Sequence, residues 1–175
     1  MDWLQFLPSF FGVLAAFGLN RYWSWIEDGR SRKKLYRDIK RELEQCSVIL
    51  QGIERYLVKE SDYDIYLQKG NLLPMDIWKS GVSSGSLRLI PYDHKTKFAE
   101  IYFRIESHNN DAEKVREVGT LGATLEKPKT TETRQFTNLE KLQNELHRNL
   151  RDSDSALHTD INNLLKQIYG DSAKD

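Results

Sequence analysis

The residues able to do chemistry are few and scattered. The chain has four histidines, His94, His108, His147 and His158, and one cysteine, Cys46. A metal site needs three or four such groups converging at one point. Only His147 and His158 share a helix face, and their spacing corresponds to about 16 Å of helical rise, too far for one ion. No ferritin-like Glu-x-x-His, His-Glu-x-x-His, cysteine pair, phosphate-binding loop or Gly-x-Ser-x-Gly elbow occurs. Cys46 falls on the apolar face of a helical pattern with no partner base, which marks a core thiol rather than a nucleophile. Glu140, Glu145, Asp152 and Asp160 are interspersed with Lys and Arg, the pattern of a solvated face. Asp111 in "NNDAEK" reads as a capping or surface group. No catalytic residue, metal ligand or cofactor is indicated, and a site assembled across helices is the one remaining route to catalysis.

Binding is the chemistry left. Polar and aromatic side chains converge around Trp78, Tyr102 and Asn109, a candidate ligand site whose bland alternative is ordinary packing. Five positions near the start, Gln5, Ser9, Gly12, Ala16 and Asn20, are spaced by 4, 3, 4 and 4 residues and fall on one stripe of a helix. Phe6, Leu7, Phe10, Phe11, Leu14 and Phe17 occupy the other face. Small residues let helix backbones approach, and Gln, Ser and Asn hydrogen-bond across the contact. The stripe is therefore a candidate surface for self-association, or for lining a small pore. A third group, Arg21, Arg30, Arg32, Lys33, Lys34 and Arg37, is a candidate contact for anionic lipid headgroups.

These candidates need elements to position them. In "LPSFFGVLAAFGLNRYWSW" and the residues just before it, no charge occurs from Trp3 to Leu19. As a helix that run spans about 26 Å, against about 30 Å for a hydrocarbon core. Its Leu, Phe and Val residues favour insertion by about 3 to 5 kcal/mol in total. Trp3 at one end and Tyr22, Trp23 and Trp25 at the other resemble interfacial girdles. Asn20 to Arg41 holds eight basic and three acidic residues, a net +5, so the basic flank is expected to stay cytoplasmic and the N-terminus to face out. Two alternatives compete. Ala16-Phe17-Gly18 offers a signal-peptidase pattern, but Met1-Asp2 lacks a basic n-region. The run could also pack inside a water-soluble core.

The rest of the chain is polar. Over the whole chain mean hydropathy is −0.64, 30% of residues are charged and the net charge is zero, which gives no nucleic-acid signal. One cysteine cannot form an internal disulfide, in keeping with a reducing compartment. Leu35, Ile39, Leu43, Cys46, Ile49 or Leu50, Ile53 and Leu57 recur at helical spacing, with Gly29 a candidate break. Pro74 and Gly81 or Gly85 bracket a short helix, and Pro91 opens another carrying Phe98, Ile101, Tyr102, Ile105, Ala112, Val115 and Val118. "SHNND" (107–111) is a candidate kink within it. Gly119 to Arg134 reads as an exposed loop. The last segment places Leu139, Leu142, Leu146, Leu150, Ser153, Leu157, Ile161, Leu164 and Ile168 on an approximate heptad seam, which could pack within the monomer or against a partner.

The stretch "LPMDIWKSGVSSGSLRLIPYDHKTKFAEIYFRIESHN", through Pro74, Trp78, Gly85, Leu87, Ile90, Tyr102, Ile105 and Asn109, resembles a pattern in uncharacterised prokaryotic membrane-anchored helical proteins. The resemblance implies an anchor followed by a long helix, and no catalytic residue.

The expected fold is all-α: a transmembrane anchor (1–26), a basic juxtamembrane segment (27–41), and an antiparallel three- or four-helix cytoplasmic bundle (31–170) with a mobile loop (119–135) and a tail (171–175). The expected role is a single-pass interaction or sensor module in the cell membrane, a homo-oligomer or partner of another protein. The alternatives are a small homo-oligomeric pore or membrane-perturbing effector, and a soluble helical protein with a buried first helix.

Overall fold

The structure, a computed structural model, describes residues 7–59, 72–124 and 133–170, with side chains for 15–56, 72–118, 120, 141–142 and 144–170. Every regular element among them is helical: α1 (Leu7–Lys59), α2 (Asp76–Ser83), a single 3₁₀ turn (Ser86–Leu89), α3 (Tyr92–Thr124) and α4 (Thr133–Tyr169).

The core forms where the apolar stripes meet. Ile39, Leu43, Cys46 and Leu50 of α1, Phe98, Tyr102 and Ile105 of α3, and Leu157 and Ile161 of α4 are all buried in one cluster. Each fully buried aliphatic side chain contributes about 1.5–3 kcal/mol. A smaller cluster joins Ile53, Ala112, Val115 and Leu150 at the far end. α4 packs against both α1 and α3.

The direction of the helices departs from the antiparallel expectation. Tyr36 meets His94, Glu42 meets Tyr102, and Ile53 packs near Ala112 and Val115, so α1 and α3 run parallel. Only α4 is antiparallel to both: Tyr169 meets Tyr36, Asn162 meets Ser47, and His158 meets Glu54. Residues 60–91, the crossover, connect α1 to α3. Their described part, 72–91, runs back along the bundle, from Leu72 beside Ile53 to Ile77 beside Glu42, and so long a connection makes parallel neighbours feasible.

Local expectations fare unevenly. α1 passes through Gly29 without a break, since one glycine costs a helix only about 1 kcal/mol. α3 likewise continues through Ser107–Asp111 and on to Thr124, so residues 119–124 of the expected loop are helical. α4 begins at Thr133, and residues 125–132 and the tail lie outside the described residues. α2 ends at Ser83, and Gly85 makes the reversal at φ 70°, a left-handed conformation that suits glycine. Pro91 precedes α3, and its carbonyl accepts from Lys95 N at 2.9 Å. The seam of α4 is offset from the expected one. Ser153 is exposed and Leu142 is 45% exposed, whereas His147 and Asp154 are buried alongside Leu150, Leu157, Ile161, Leu164 and Ile168. The true steps are a strict 3, 4, 3, 4, 3, 4.

Among the described residues no helix is long and apolar enough to cross a membrane. Within α1 the uncharged stretch from Leu7 to Leu19 rises about 20 Å before Asn20 and Arg21 end it. The anchor expected over 1–26 depends on Trp3, Leu4 and Phe6, which lie outside the described residues.

Candidate functional site

Three arrangements of side chains stand out. The first is a knot around Glu42, which is buried on the apolar stripe of α1. Its Oε1 accepts from Ile77 N at 2.7 Å, and its Oε2 from Trp78 N at 3.2 Å and Tyr102 Oη at 2.5 Å. Ile77 and Trp78 are the second and third residues of α2, whose N-cap, Met75, makes no side-chain cap. Glu42 therefore caps α2 from another helix, satisfying two orphan amides and placing a negative charge at the helix's positive end. The Trp78 ring stacks on Tyr102 with centroids 4.6 Å apart and planes 10° from parallel. Burial, and then the hydrogen bond to Glu42, pushes the Tyr102 phenol far above its usual range. The Cys46 thiol is pushed up to about 12, first by burial and then by the nearby Glu42 charge. It donates to Pro74 O at 3.4 Å, so it is a protonated core thiol.

Asn109 completes this docking. Its Oδ1 accepts from Leu73 N and its Nδ2 donates to Leu73 O, both at 2.8 Å, as a peptide group in a sheet would. Trp78, Tyr102 and Asn109 thus act together, but on the chain itself: they fasten the crossover to α1 and α3. Pro74, Leu87 and Ile90 in the same sequence pattern pack here too.

The second arrangement is a buried pair. His108 Nδ1 lies 2.6 Å from Asp154 Oδ1, and both side chains are shielded from solvent. Nearby, Arg104 pairs with Asp160 across the same α3–α4 interface. Asp160, expected on a solvated face, therefore holds two helices together, while Glu145 and Asp152 are exposed as expected. Among the described residues no group of three or more His, Cys, Asp or Glu could hold a metal ion.

The third is the part of α1 outside the bundle. From Ala15 to Lys34 every side chain is exposed except Ile26, which is half-buried. Phe17, Leu19, Tyr22, Trp23 and Trp25 are between 56% and 72% exposed. Arg21, Arg30, Arg32, Lys33, Lys34 and Arg37 are all exposed on this helix. Of the small-residue stripe, Ala16 and Asn20 are exposed, Ser9 and Gly12 lie on the helix with their side chains outside the described set, and Gln5 is outside the described residues.

Where α1 enters the bundle, an open cavity of about 690 Å³ is lined by Arg32, Lys33, Tyr36, Arg37 and Lys40 of α1, His94 in the first turn of α3, and Ile168 and Tyr169 at the end of α4. Tyr36 Oη lies 2.7 Å from His94 Nδ1, and Tyr169 Oη donates to Tyr36 O at 2.8 Å. Arg32 sits over the Tyr36 ring at 5.8 Å and Lys40 over the Tyr169 ring at 5.3 Å. Burial raises the Tyr36 phenol, with Arg32 opposing it, and burial also raises the Tyr169 phenol.

Sequence reasoning missed Glu42, the His108–Asp154 pair and the share of His94, Tyr36, Lys40 and Tyr169 in the cavity. Glu42 had a legible signal, since it stands three residues after Ile39 and four before Cys46 on an otherwise apolar stripe. The cavity had none, because its members come from the first, third and last helices.

No family model matches the chain, and neither a curated protein nor a solved structure is detectably similar to it.

Proposed function

We propose that the chain is a membrane-tethered interaction or sensor module, with the apolar end of α1 embedded in a bilayer and the bundle held on its basic, cytoplasmic side. The observation that carries this reading is the exposed apolar girdle on a helix that is elsewhere well packed. At about 100° per residue, Phe17, Trp25, Tyr22, Leu19 and Trp23 point around the full circumference, with no gap wider than about 120°. One protein partner covers one face of a helix, whereas lipid covers all of them. Aromatic rings at this level, followed by Arg30 to Arg37, match the order of headgroup belt and cytoplasmic basic flank.

The widest gap in the girdle, between Trp23 and Phe17, is where Ala16 and Asn20 lie. This coincidence supports self-association of the embedded helices through the stripe that includes Ser9 and Gly12, since small residues let the backbones approach there and Trp23, on the same face, stands one turn beyond Asn20. A pore lined by the same stripe is less well supported, because small neutral positions make a poor filter.

The test is alkaline carbonate extraction of membranes from cells making the full chain, with protease protection of tags at each terminus. Retention in the pellet with the C-terminal tag protected inside is expected. Complete release, or a C-terminal tag cleaved from outside, refutes the reading. Replacing Gly12 and Ala16 by Leu is expected to abolish crosslinked oligomers in bilayers, and unchanged crosslinking refutes the self-association.

A further inference from the structure

The cavity at the bundle's entry carries more positive charge than packing or topology requires. Among the described residues, Arg32, Lys33, Arg37 and Lys40 line it, and no carboxylate does. Glu44 reaches Lys40 at 3.8 Å from outside the lining and offsets one of the four charges. Two of the cations are already placed, Arg32 over Tyr36 and Lys40 over Tyr169. The Tyr169–Tyr36 hydrogen bond ties the end of α4 to α1 and holds the cavity's wall. A hydrogen bond of 2.7 Å between the Tyr36 hydroxyl and Nδ1 of His94 holds that ring in the cavity wall. Cations and donors held in place before a ligand arrives lose less freedom on binding it.

A net charge near +3 is more than a single phosphodiester would neutralise. A phosphomonoester carries about −1.5 to −2, so two phosphate groups balance the site. Phosphate can come from a lipid headgroup or from solution, and position along α1 separates the sources. Arg32 to Lys40 lie about 10 to 22 Å of helical rise beyond Trp25. A headgroup layer is only about 5–8 Å thick, and a tilt of about 20° shortens the distance by only about 6%. The surface potential of the bilayer falls off over about 8 Å. The cavity thus faces water.

We propose that this cavity, formed by Arg32, Lys33, Arg37 and Lys40 with Tyr36, His94 and Tyr169, binds a soluble small molecule carrying two phosphate groups. The inference rests on the tethered reading only for the side that the cavity faces. It makes the basic segment a receptor as well as a topology signal.

The test uses the full chain in nanodiscs of neutral phosphatidylcholine, titrated with pyrophosphate by calorimetry. One saturable site is expected. Arg37→Gln and Lys40→Gln should each weaken it about tenfold or more, as loss of a charge-assisted hydrogen bond does. Lys40→Arg should retain binding, which guards against a variant that merely misfolds. Lys79→Gln, at an exposed position of α2 away from the cavity, should leave binding unchanged. Three results would overturn the proposal: no saturation, equal weakening by Lys79→Gln, or a response that requires phosphatidic acid in the disc and is absent with pyrophosphate. Pocket-dependent binding by a chain that escapes from the discs would support the receptor and remove the bilayer reading, so the two fail separately.

Discussion

Replacing Glu42 by Ala removes the acceptor for Ile77 N, Trp78 N and Tyr102 Oη at a single stroke. Each hydrogen bond to a charged acceptor contributes about 1.5–3 kcal/mol net, and each buried donor left unpaired costs about 1–3 kcal/mol. These terms overlap, and removing a buried charge returns part of its desolvation cost. The net loss expected is about 3–5 kcal/mol, the range for breaking a buried polar cluster at one partner. For a body of this size that lowers Tm by roughly 10–20 °C. Glu42→Gln keeps one carbonyl oxygen for an α2 amide and is expected to cost about 1–2 kcal/mol. Tyr102→Phe leaves two of the three donors in place and should cost about as much as the Gln variant. Denaturant unfolding of the full chain, followed by circular dichroism, gives these values. Hydrogen exchange should show the Ile77 and Trp78 amides losing protection in Glu42→Ala before the core of α3 does. A loss below about 1 kcal/mol for Glu42→Ala, or unaltered protection at those two amides, refutes the cross-helix cap.

The folded Cys46 thiol titrates at about 12 rather than 9.0, so the folded state keeps a proton that the unfolded chain releases. Its contribution is complete below pH 9 and is lost as pH rises toward 12, up to about 4 kcal/mol at full ionisation. Cys46→Ala should flatten this alkaline decline in a pH series of urea midpoints, leaving the part due to Tyr102, and native Cys46 should resist thiol reagents at pH 8. Replacing Asp154 alone by Ala should cost about 3–5 kcal/mol because it strips the buried His108 of its carboxylate. The double replacement His108→Leu with Asp154→Leu should cost less than the sum of the single ones, and simple additivity in the double-mutant cycle would count against a coupled pair. Gly85→Ala should cost about 1–2 kcal/mol from backbone conformation alone, since an added Cβ meets nothing within 4 Å at φ +70°. Gly85→Asn should cost less, and equal melting points for the two variants would refute that assignment.

Much of the helical layout was legible because apolar spacing reports which face a helix buries. Ile39, Leu43, Phe98, Tyr102, Leu157 and Ile161 are on their expected stripes and are buried. Direction was not legible, because periodicity carries no sign along the helix axis and the crossover of 60–91 contains the information only through its length. The seam of α4 was misplaced at Ser153 because an apolar template steps over acids. Asp154 fits the register only when His108, 46 residues earlier in the chain, is set against it. Trp78 stacks on Tyr102 and Asn109 bonds Leu73, yet the partners that fasten these residues are backbone groups and a carboxylate, which no side-chain pattern encodes. The uncharged opening stretch was legible as apolar, but a span needs an apolar run of sufficient length, and the described part of α1 is long without holding one.

Because α2 is capped by Glu42 and its approach is pinned by Asn109, the crossover borrows its order from both sides in the sequence. An eight-residue helix is too short to persist alone in water. As the polypeptide leaves the ribosome, residues 72–90 must therefore wait, unstructured, until Asn109 has been synthesised and α3 can swing alongside α1. The middle of this chain sets no earlier than the helix that follows it.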